Sequence, residues 1–264
     1  MTASYSSSVR FGFGQNWQAY SKTLSEQRIQ SAERSLVDLL STAELAGKRC
    51  LDIGSGSGLF SLAARRMGAA VVSIDHDADS VSCTEALQQR YFPNDRRWAV
   101  RQGSVLDQGL LDTLGVFDIV YTWGVLHHTG DMRAAMENVC GCVASKGTLV
   151  VSLYNDQGWL SKYWKRVKYF YNRLPWSRPI LVGIYAPYFV GLRYLVRRLG
   201  GRTQLERGMS LWFDMIDWLG GYPFEVARPE AVIDFYHGRG FRLKKLKTCG
   251  GRSGCNEFVF ENVG

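Results

Sequence analysis

A glycine-rich segment near residue 54 places the strongest constraint on how this chain can fold. The short apolar run 50–53, with the sequence CLDI, is followed by Gly54, Gly56 and Gly58, and a helical pattern of apolar residues begins at Leu59. A strand that enters such a turn and leaves in a helix lets a ligand approach backbone N–H groups at the helix N-terminus. Leu59 occupies the third glycine position of the dinucleotide-binding pattern Gly-x-Gly-x-x-Gly, which argues against that class of ligand.

Short apolar runs alternate with helical patterns between residues 49 and 154. This order predicts a parallel sheet covered by helices. Two later runs, 241–248 and 256–261, are joined by the turn-forming segment CGGRSGC, which favours an antiparallel hairpin. The predicted fold class is α/β, with a Rossmann-like, seven-stranded, mostly parallel sheet and a C-terminal antiparallel strand pair. The parallel strands are predicted at 49–53, 70–74, 98–102, 117–122 and 148–154, and helices at 59–67, 80–91 and 132–143.

The alternation stops at Asn155, and mostly helical sequence follows until residue 240. We interpret 155–240 as a helical substrate cap inserted before the last two strands. The sheet-forming core would then consist of 48–154 and 241–264, preceded by an arm and helix at 1–47. In open α/β folds ligands bind at the carboxyl edge of the strands, so the cap is expected to lie over that edge.

The pattern Asp-x-Gly-x-Gly-x-Gly that starts at Asp52 resembles motif I of the class I S-adenosylmethionine-dependent methyltransferases. Asp75 ends the next strand, and segment 117–128 looks like the family's fourth strand with its following loop. The resemblance covers 48–154 and the terminal strand pair. It is closest to the ubiquinone-biosynthesis O-methyltransferases and related small-molecule methylases.

The resemblance implies S-adenosylmethionine as the cofactor. Asp75 would accept hydrogen bonds from the ribose hydroxyls, adenine would lie near Ser104 and Val105, and the loop after the fourth strand would border the methyl donor. Asp52 either contacts the cofactor or orients the loop. The complete set of expected cofactor-binding residues is Asp52, Gly54, Ser55, Gly56, Gly58, Asp75, His76, Ser104, Val105, Trp123 and Gly124.

His128 and His127 are the candidate catalytic residues. An imidazole has a pKa near 6.5, which suits proton abstraction from an acceptor near neutral pH. His128 is the preferred base because it lies further from the strand, while the alternative for both is a packing role in the loop. We expect no metal, since the cysteines lack Cys-x-x-Cys spacing and no acidic residues accompany the histidines at ligand spacing.

Aromatic and acidic residues of the arm and cap are candidates for binding the acceptor. The dense segment 208–225 could line a pocket, or it could form the core of the cap, because Leu211, Met215 and Trp218 have helical spacing. The arm could also fold over the cofactor as a lid. The expected substrate-binding residues are Trp17, Tyr20, Tyr154, Asn155, Trp212, Asp214 and Tyr222.

The net charge of +8 is concentrated in one part of the chain. Between Lys162 and Arg207 there are eleven Lys or Arg residues, against Glu206 as the sole acidic residue. Cations alternate with aromatic residues at 159–171, and a 13-residue apolar stretch at 180–192 contains Pro187. That stretch is shorter than the roughly 20 residues of a membrane-spanning helix.

Three interpretations of this basic segment compete: nucleic-acid binding, contact with an anionic membrane or lipid-like acceptor, and a solvated helix face. The solvated helix face is favoured, and peripheral membrane contact through 159–200 or an anionic or lipid-like small-molecule acceptor comes next. Nucleic acid is disfavoured because no RNA-binding module accompanies the core. The polar N-terminus predicts a cytoplasmic protein. The sequence leaves the oligomeric state open.

The predicted function is transfer of a methyl group from S-adenosylmethionine to a hydroxyl or other oxygen nucleophile of a small molecule. Two alternatives remain. One is methylation of tRNA or another RNA, and the other is a non-catalytic binding protein that retains the fold.

Overall fold

The computed structural model describes residues 9–21, 23–199 and 211–264. Its seven-stranded sheet has the order β3-β2-β1-β4-β5-β7-β6. The strands are Arg49–Ile53 (β1), Ala70–Asp75 (β2), Trp98–Gln102 (β3), Phe117–Trp123 (β4), Val143–Tyr154 (β5), Phe241–Lys247 (β6) and Cys255–Asn262 (β7).

Strands β1 to β5 pair in parallel, whereas β7 is antiparallel to both β5 and β6. The predicted fold class is therefore confirmed. Chain order reverses between β1 and β4, so a crevice opens there beyond the carboxyl ends of the strands.

Helices cover both faces of the sheet because alternate side chains of each buried strand point to opposite sides. In β1, for example, Leu51 packs with α5, α6 and α11, and Cys50 packs with α2 and α3. The helices are Phe13–Ser21 (α1), Glu26–Leu40 (α2), Leu59–Arg66 (α3), Ala78–Tyr91 (α4), Gln108–Leu114 (α5), Met132–Cys140 (α6), Trp159–Arg173 (α7), Ser177–Ala186 (α8), Arg193–Leu199 (α9), Leu211–Gly220 (α10) and Pro229–His237 (α11).

Helix α11 differs from the predicted domain organisation. It falls inside the expected cap, 155–240, yet Val232 and Tyr236 are buried in the sheet core beside Phe241 and Phe260. The described part of the cap consists instead of α7 to α10 and the segments between them. Residues 200–210, which the sequence analysis also assigned to the cap, lie outside the described residues.

The cap has an aromatic core of its own. Trp164 and Tyr171 of α7 pack with Met215 and Leu219 of α10 and with Phe224. Leu219 and Met215 are fully buried. The helical spacing noted at Met215 therefore reflects packing within the cap, although other residues of α10 face a cavity described below.

One long helix on the cap surface passes through Pro187. Helix α8 continues as a π-helical segment, Pro187–Leu192, into α9. The helix is therefore longer than the 13-residue apolar stretch 180–192 of the sequence. It passes through Pro187 because proline removes only one N–H donor and the wider π-helical turn can accommodate its ring. Among the described residues, Ser177–Val196 is the one helix whose 20 residues and mean hydropathy of 1.4 would suffice, by length and composition alone, to cross a membrane.

Candidate functional site

A cavity of about 920 Å³ lies at the carboxyl ends of β1, β2 and β4, bounded by the cap on one side and the arm on another. The core contributes the glycine-rich turn and the loops after β2, β3 and β4. Residues 10–13 and Trp17 of the arm form one wall, and α10 with the turn after it forms a second. The cavity thus joins arm, core and cap, which are far apart in the sequence.

The three glycines of the turn have left-handed backbone conformations that favour glycine. Their φ angles are +76° at Gly54, +54° at Gly56 and +76° at Gly58. A Cβ on Gly54 would lie 2.3 Å from Val125 Cγ2, and one on Gly58 would lie 2.9 Å from Thr84 Cα. Both the backbone angles and the surrounding space therefore exclude side chains at this turn.

Asp52 belongs to a buried network beneath the turn. Ser61 Oγ donates to Asp52 Oδ2 at 2.5 Å and lies 2.7 Å from Ser73 Oγ, and Trp98 Nε1 donates to Ser73 Oγ at 2.9 Å. Burial raises the pKa of Asp52 to about 7. Through its hydrogen bond with Ser61, the carboxyl group joins the turn to α3. It also lines the cavity and therefore remains within reach of a ligand.

Asp75, at the end of β2, is hydrogen-bonded to the glycine turn. Its Oδ2 accepts from the Gly56 N–H and its Oδ1 from the Asp77 N–H, both at 2.9 Å. Burial raises its pKa to about 6, against the lowering effect of these two hydrogen bonds. The carboxylate lines the cavity with its remaining lone pairs available, because each oxygen can accept more than one hydrogen bond.

Most other residues expected at the cofactor also line the cavity. Ser104 uses its hydroxyl to accept from the Leu106 N–H at 3.1 Å, which fixes the loop after β3. Gly58 lies behind the turn against Thr84 and does not line the cavity, because it forms the start of α3. Those that do line it, besides Asp52 and Asp75, are Gly54, Ser55, Gly56, His76, Ser104, Val105, Trp123 and Gly124.

These residues fit S-adenosylmethionine. The glycine turn and Leu59 at the start of α3 line the cavity, so the backbone of this segment borders the space that a ligand would occupy. A carboxylate at the end of β2 is placed to accept hydrogen bonds from vicinal ribose hydroxyls, and the loop after β3 offers Val105 and Leu106 as apolar surface for a base. The donor set therefore matches an adenosyl ligand.

The arm packs directly over the glycine turn. Trp17 lies against Gly56, since a Cβ on that glycine would be 3.0 Å from the indole ring. The Gly14 N–H donates to Asp77 Oδ2 at 2.9 Å, which attaches α1 to the start of α4. Phe11 is tied to the cap by its N–H, which donates to the Tyr222 carbonyl at 3.0 Å.

Not all expected substrate-binding residues reach the cavity. Tyr154, Asp214 and Tyr222 line it, as does Trp17. The other three do not, and each is used elsewhere: Tyr20 is fully buried in the core, Asn155 accepts from Asn256 Nδ2 at 3.0 Å, and Trp212 is exposed on the outer side of α10. Trp212 does not reach the cavity because it lies on a different side of the helix from Asp214 and Asp217, which face inward.

The two histidines have different positions. His128 lines the cavity, with its Nδ1 2.7 Å from the Pro223 carbonyl. A carbonyl can only accept, so this contact assigns the proton to Nδ1 and leaves Nε2 as an acceptor. Burial, with a smaller contribution from Lys168, lowers the pKa of His128 to about 3. His127 is fully buried against Tyr154, with ring centroids 3.9 Å apart, and does not line the cavity.

Asp217 was not among the expected substrate-binding residues, although it lines the cavity. Its Oδ1 accepts from Asn16 Nδ2 at 2.8 Å, so the arm positions a cap carboxyl group. Burial raises the pKa of Asp217 to about 8. Its position three residues after Asp214, on the same face of a helix, was the available sequence signal.

A buried lysine supports the aromatic side of the cavity. Lys168 of α7 donates to the Trp218 carbonyl, and its Nζ lies 4.3 Å from the Trp218 ring centroid and 4.8 Å from that of Phe224. Burial lowers its pKa to about 7. Within the basic segment this lysine points inward, whereas Lys162, Lys165 and Arg166 are exposed.

Comparisons with known proteins agree with this site. A family model described as a methyltransferase domain matches residues 25–180, which is more than half of the chain. The ubiquinone biosynthesis O-methyltransferase of Rhizobium johnstonii is 30% identical over 128 residues, covering 48% of this chain and 50% of that protein. The tRNA U34 carboxymethyltransferase of Methylococcus capsulatus is 35% identical over 120 residues, covering 44% and 35% respectively.

Among solved structures, magnesium protoporphyrin IX methyltransferase from Synechocystis with bound S-adenosylhomocysteine shares the fold. The TM-score is 0.53 at 14% identity, with 89% of this chain and 83% of that chain covered. The matches to the two curated relatives span half or less of the length of each. They also fall short of this chain's full length, since they cover less than half of it.

Proposed function

This chain belongs to the class I S-adenosylmethionine-dependent methyltransferases, and on that premise we propose that it methylates an oxygen nucleophile of a small molecule. The observation that carries the proposal is the continuity of the cavity. It runs from the glycine turn and Asp75, where the cofactor fits, to a chamber where His128 and Asp217 face an aromatic wall. Donor and acceptor would therefore share one continuous cavity.

The lining of the chamber supports a small, ring-bearing acceptor. Tyr154, Trp218 and Phe189 provide aromatic surface, and their rings are packed against one another at centroid distances of 5.2 to 6.2 Å. Such walls orient a planar group at little entropic cost. Arg193 and Arg10 also line the cavity, which supports an anionic group on the acceptor.

Bound S-adenosylmethionine supplies an electrophilic methyl group on a sulfonium centre. The chain must bind both molecules, align the acceptor oxygen and receive its proton. Tyr154 and Trp218 would orient the acceptor ring, while Trp17 and Phe13 exclude water from the side of the arm. Alignment in an enclosed site supplies much of the rate in a displacement of this kind.

Two groups in the chamber can receive the hydroxyl proton. His128 Nε2 is an acceptor, but a pKa of about 3 makes it a weak base near neutral pH. Asp217, with a pKa of about 8, is the stronger base, and the fraction of it that is ionised near neutral pH can accept the proton. We therefore assign proton acceptance to Asp217 and orientation of the hydroxyl to His128, while His127 supports the ring of Tyr154 from behind.

Calorimetry with S-adenosylhomocysteine tests the proposed cofactor-binding role of Asp75. Asp75→Ala is expected to weaken binding by about 10- to 100-fold, because it removes hydrogen bonds made to a charged acceptor. Asp75→Asn is expected to have a smaller effect, since it retains one oxygen acceptor. Asp112→Ala, an exposed carboxylate on α5, is the matched control and should bind as the parent does. Equal affinity of the parent and the Asp75→Ala variant would refute the assignment.

The proposed class of acceptor is tested by measuring the release of S-adenosylhomocysteine from S-adenosylmethionine in the presence of separate panels of phenols, amines, fatty acids and unmodified tRNA. Turnover with a phenol or carboxylic acid, and a product heavier by one methylene group, is the expected result. Methylation of tRNA alone would replace this proposal with the RNA alternative. Absence of turnover with every panel, despite cofactor binding, would favour a non-catalytic binding protein.

A further inference from the structure

The cap carries an exposed apolar stripe along the helix formed by α8, the π-helical segment and α9. Residues four or three positions apart follow one side of this helix, and each is about half exposed or more. Isolated exposed apolar residues are ordinary, but a continuous line of them marks an interaction surface. The stripe consists of Ile180 (53% exposed), Ile184 (61%), Tyr188 (59%), Leu192 (49%), Leu195 (52%) and Leu199 (79%).

The opposite side of the same helix is fixed to the protein. Leu181, Tyr185 and Phe189 pack against the aromatic core of the cap, and the Tyr185 and Trp164 ring centroids are 5.1 Å apart. The helix is therefore held flat on the cap surface. In this position it can lie along an apolar boundary, but it cannot cross one without leaving the cap.

Positive charge and exposed tryptophans surround the stripe. Segment 159–199 contains nine Lys or Arg residues and no Asp or Glu. Trp159 is 76% exposed and Trp176 is 67% exposed. Tryptophan prefers the boundary between lipid headgroups and acyl chains, and lysine and arginine are attracted to anionic headgroups. The exposed cations are Lys162, Lys165, Arg166, Arg173, Arg178, Arg193 and Arg198.

This charge also argues against a second copy of the chain as the occupant of the stripe. A symmetric dimer would bring the same patch of each copy together, so cations would face cations. An anionic bilayer provides both an apolar layer for the stripe and negative charge for its surroundings.

The helix that carries the stripe also lines the cavity. Phe189 and Arg193 belong to this helix, and both line the cavity. A surface docked through the stripe would therefore lie on the other side of a helix that bounds the site. If the proposed function holds, docking would place the site close to a bilayer in which a lipid-like acceptor is dissolved.

We propose that the helix of residues 177–199, together with the exposed basic face of α7, docks the protein on the surface of an anionic phospholipid bilayer. The apolar stripe lies at the level of the upper acyl chains, and the cations contact the headgroups. This docking goes beyond methyl transfer and does not depend on it.

Sedimentation of the full chain with unilamellar vesicles tests the proposal. The protein is expected to sediment with vesicles of equimolar phosphatidylcholine and phosphatidylglycerol, and the bound fraction should fall with phosphatidylcholine alone and with added salt. The double variant Ile184→Asp, Leu195→Asp should lower the partition coefficient by more than about tenfold, because it places carboxylates in the apolar layer.

A matched control also replaces two exposed aliphatic residues with aspartate, but at positions outside the stripe. Val116 and Val263 are 50% and 55% exposed and lie outside the cap. The double variant Val116→Asp, Val263→Asp changes the net charge equally and should sediment as the parent does. Unchanged affinity for S-adenosylhomocysteine in both variants would show that each is folded.

A second pair separates local charge from total charge. Lys165→Gln with Arg166→Gln should weaken sedimentation with anionic vesicles, whereas Arg90→Gln with Arg96→Gln, two exposed cations of α4 and the turn after it, should not. Equal losses in the stripe variant and its valine control would overturn the proposal, as would failure of the parent to sediment with anionic vesicles. A dimer in solution that the stripe variant dissociates, without vesicle binding, would assign the surface to a second copy instead.

Discussion

At the scale of single residues, the glycine turn shows how backbone angle and local space act together. Gly47 and Gly58 have nearly equal φ angles of +75° and +76°, but nothing lies within 4 Å of a Cβ on Gly47, whereas one on Gly58 would meet the Thr84 backbone at 2.9 Å. The pair therefore separates the cost of a left-handed angle from the cost of crowding.

We expect Gly47→Ala to lower the free energy of unfolding by about 1 kcal/mol, the ordinary cost of a left-handed angle for an L-residue. Gly58→Ala should lower it by about 3 kcal/mol, because collision with Thr84 is added. Urea unfolding of both variants measures the difference. Equal destabilisation would mean that α4 moves aside freely and that the turn is not tightly packed.

The buried carboxyl group of Asp217 makes stability depend on pH. Its pKa is about 8 in the folded chain, against about 3.9 for an exposed aspartate. The folded state therefore holds this proton more tightly than the unfolded state does, and stability contributed by Asp217 is lost as pH rises from about 4 towards 8.

The Asp217→Asn variant retains the oxygen that accepts from Asn16 but cannot ionise. Between about pH 4 and pH 7, we expect its stability relative to the parent to increase by about 1 kcal/mol per pH unit. Urea unfolding across this range gives the slope. The exposed Asp112→Asn variant should show none, and a flat difference for Asp217→Asn would contradict the assignment.

Residues of the glycine turn and Asp75 could be found from the sequence because each belongs to a short local pattern. Asn16, Lys168 and Asp217 could not be assembled in the same way. They meet only after the arm and two cap helices pack together, and no spacing along the chain records that contact. The expectation that Trp212 lies in the site was wrong because a helix presents neighbouring side chains to different sides, and the sequence alone does not show which side faces the cavity.

At the scale of elements, α1 connects regions that are far apart in sequence. Gly14 is hydrogen-bonded to the start of α4, and Asn16 to Asp217 of α10. Trp17, which follows Asn16 on the helix, covers the glycine turn at Gly56. One short helix thus holds the core and the cap at a defined separation.

We expect Trp17→Ala to weaken S-adenosylhomocysteine binding by about tenfold, because loss of the indole ring exposes the turn to water and removes an aromatic contact. Calorimetry measures the effect. Trp159→Ala removes the same side chain from an exposed position on α7 and should leave affinity unchanged. Equal affinities of the two variants would show that α1 does not cover the bound cofactor.

The sequence predicted the strands well, because short apolar runs between glycines have few alternative structures. It did not predict α1, whose nine residues contain no regular apolar period, or the uninterrupted helix through Pro187. In both cases tertiary contacts outweigh local preference. The basic segment is evident in the sequence, but its division into one buried lysine and several exposed cations is visible only in the packed cap.

At the scale of the whole molecule, the cavity is the place where arm, core and cap meet. A ligand bound there contacts all three and stabilises their arrangement together. At about 100 times its dissociation constant, S-adenosylhomocysteine should raise the free energy of unfolding by about 2.7 kcal/mol. We expect a rise in Tm of roughly 5–10 °C for a chain of this size, measured by thermal unfolding. NADH should produce no rise, and an equal rise with NADH would indicate a dinucleotide site.

The strand order has a consequence for how the protein is made. Strand β6 is at the edge of the sheet and pairs with β7, which in turn separates it from β5. During translation β6 leaves the ribosome before its partner exists. The parallel strands and their helices can associate while synthesis continues, but the hairpin must wait. The part of the cavity lining that comes from Lys247, Thr248, Cys255 and Glu257 is therefore added only after β7 has emerged.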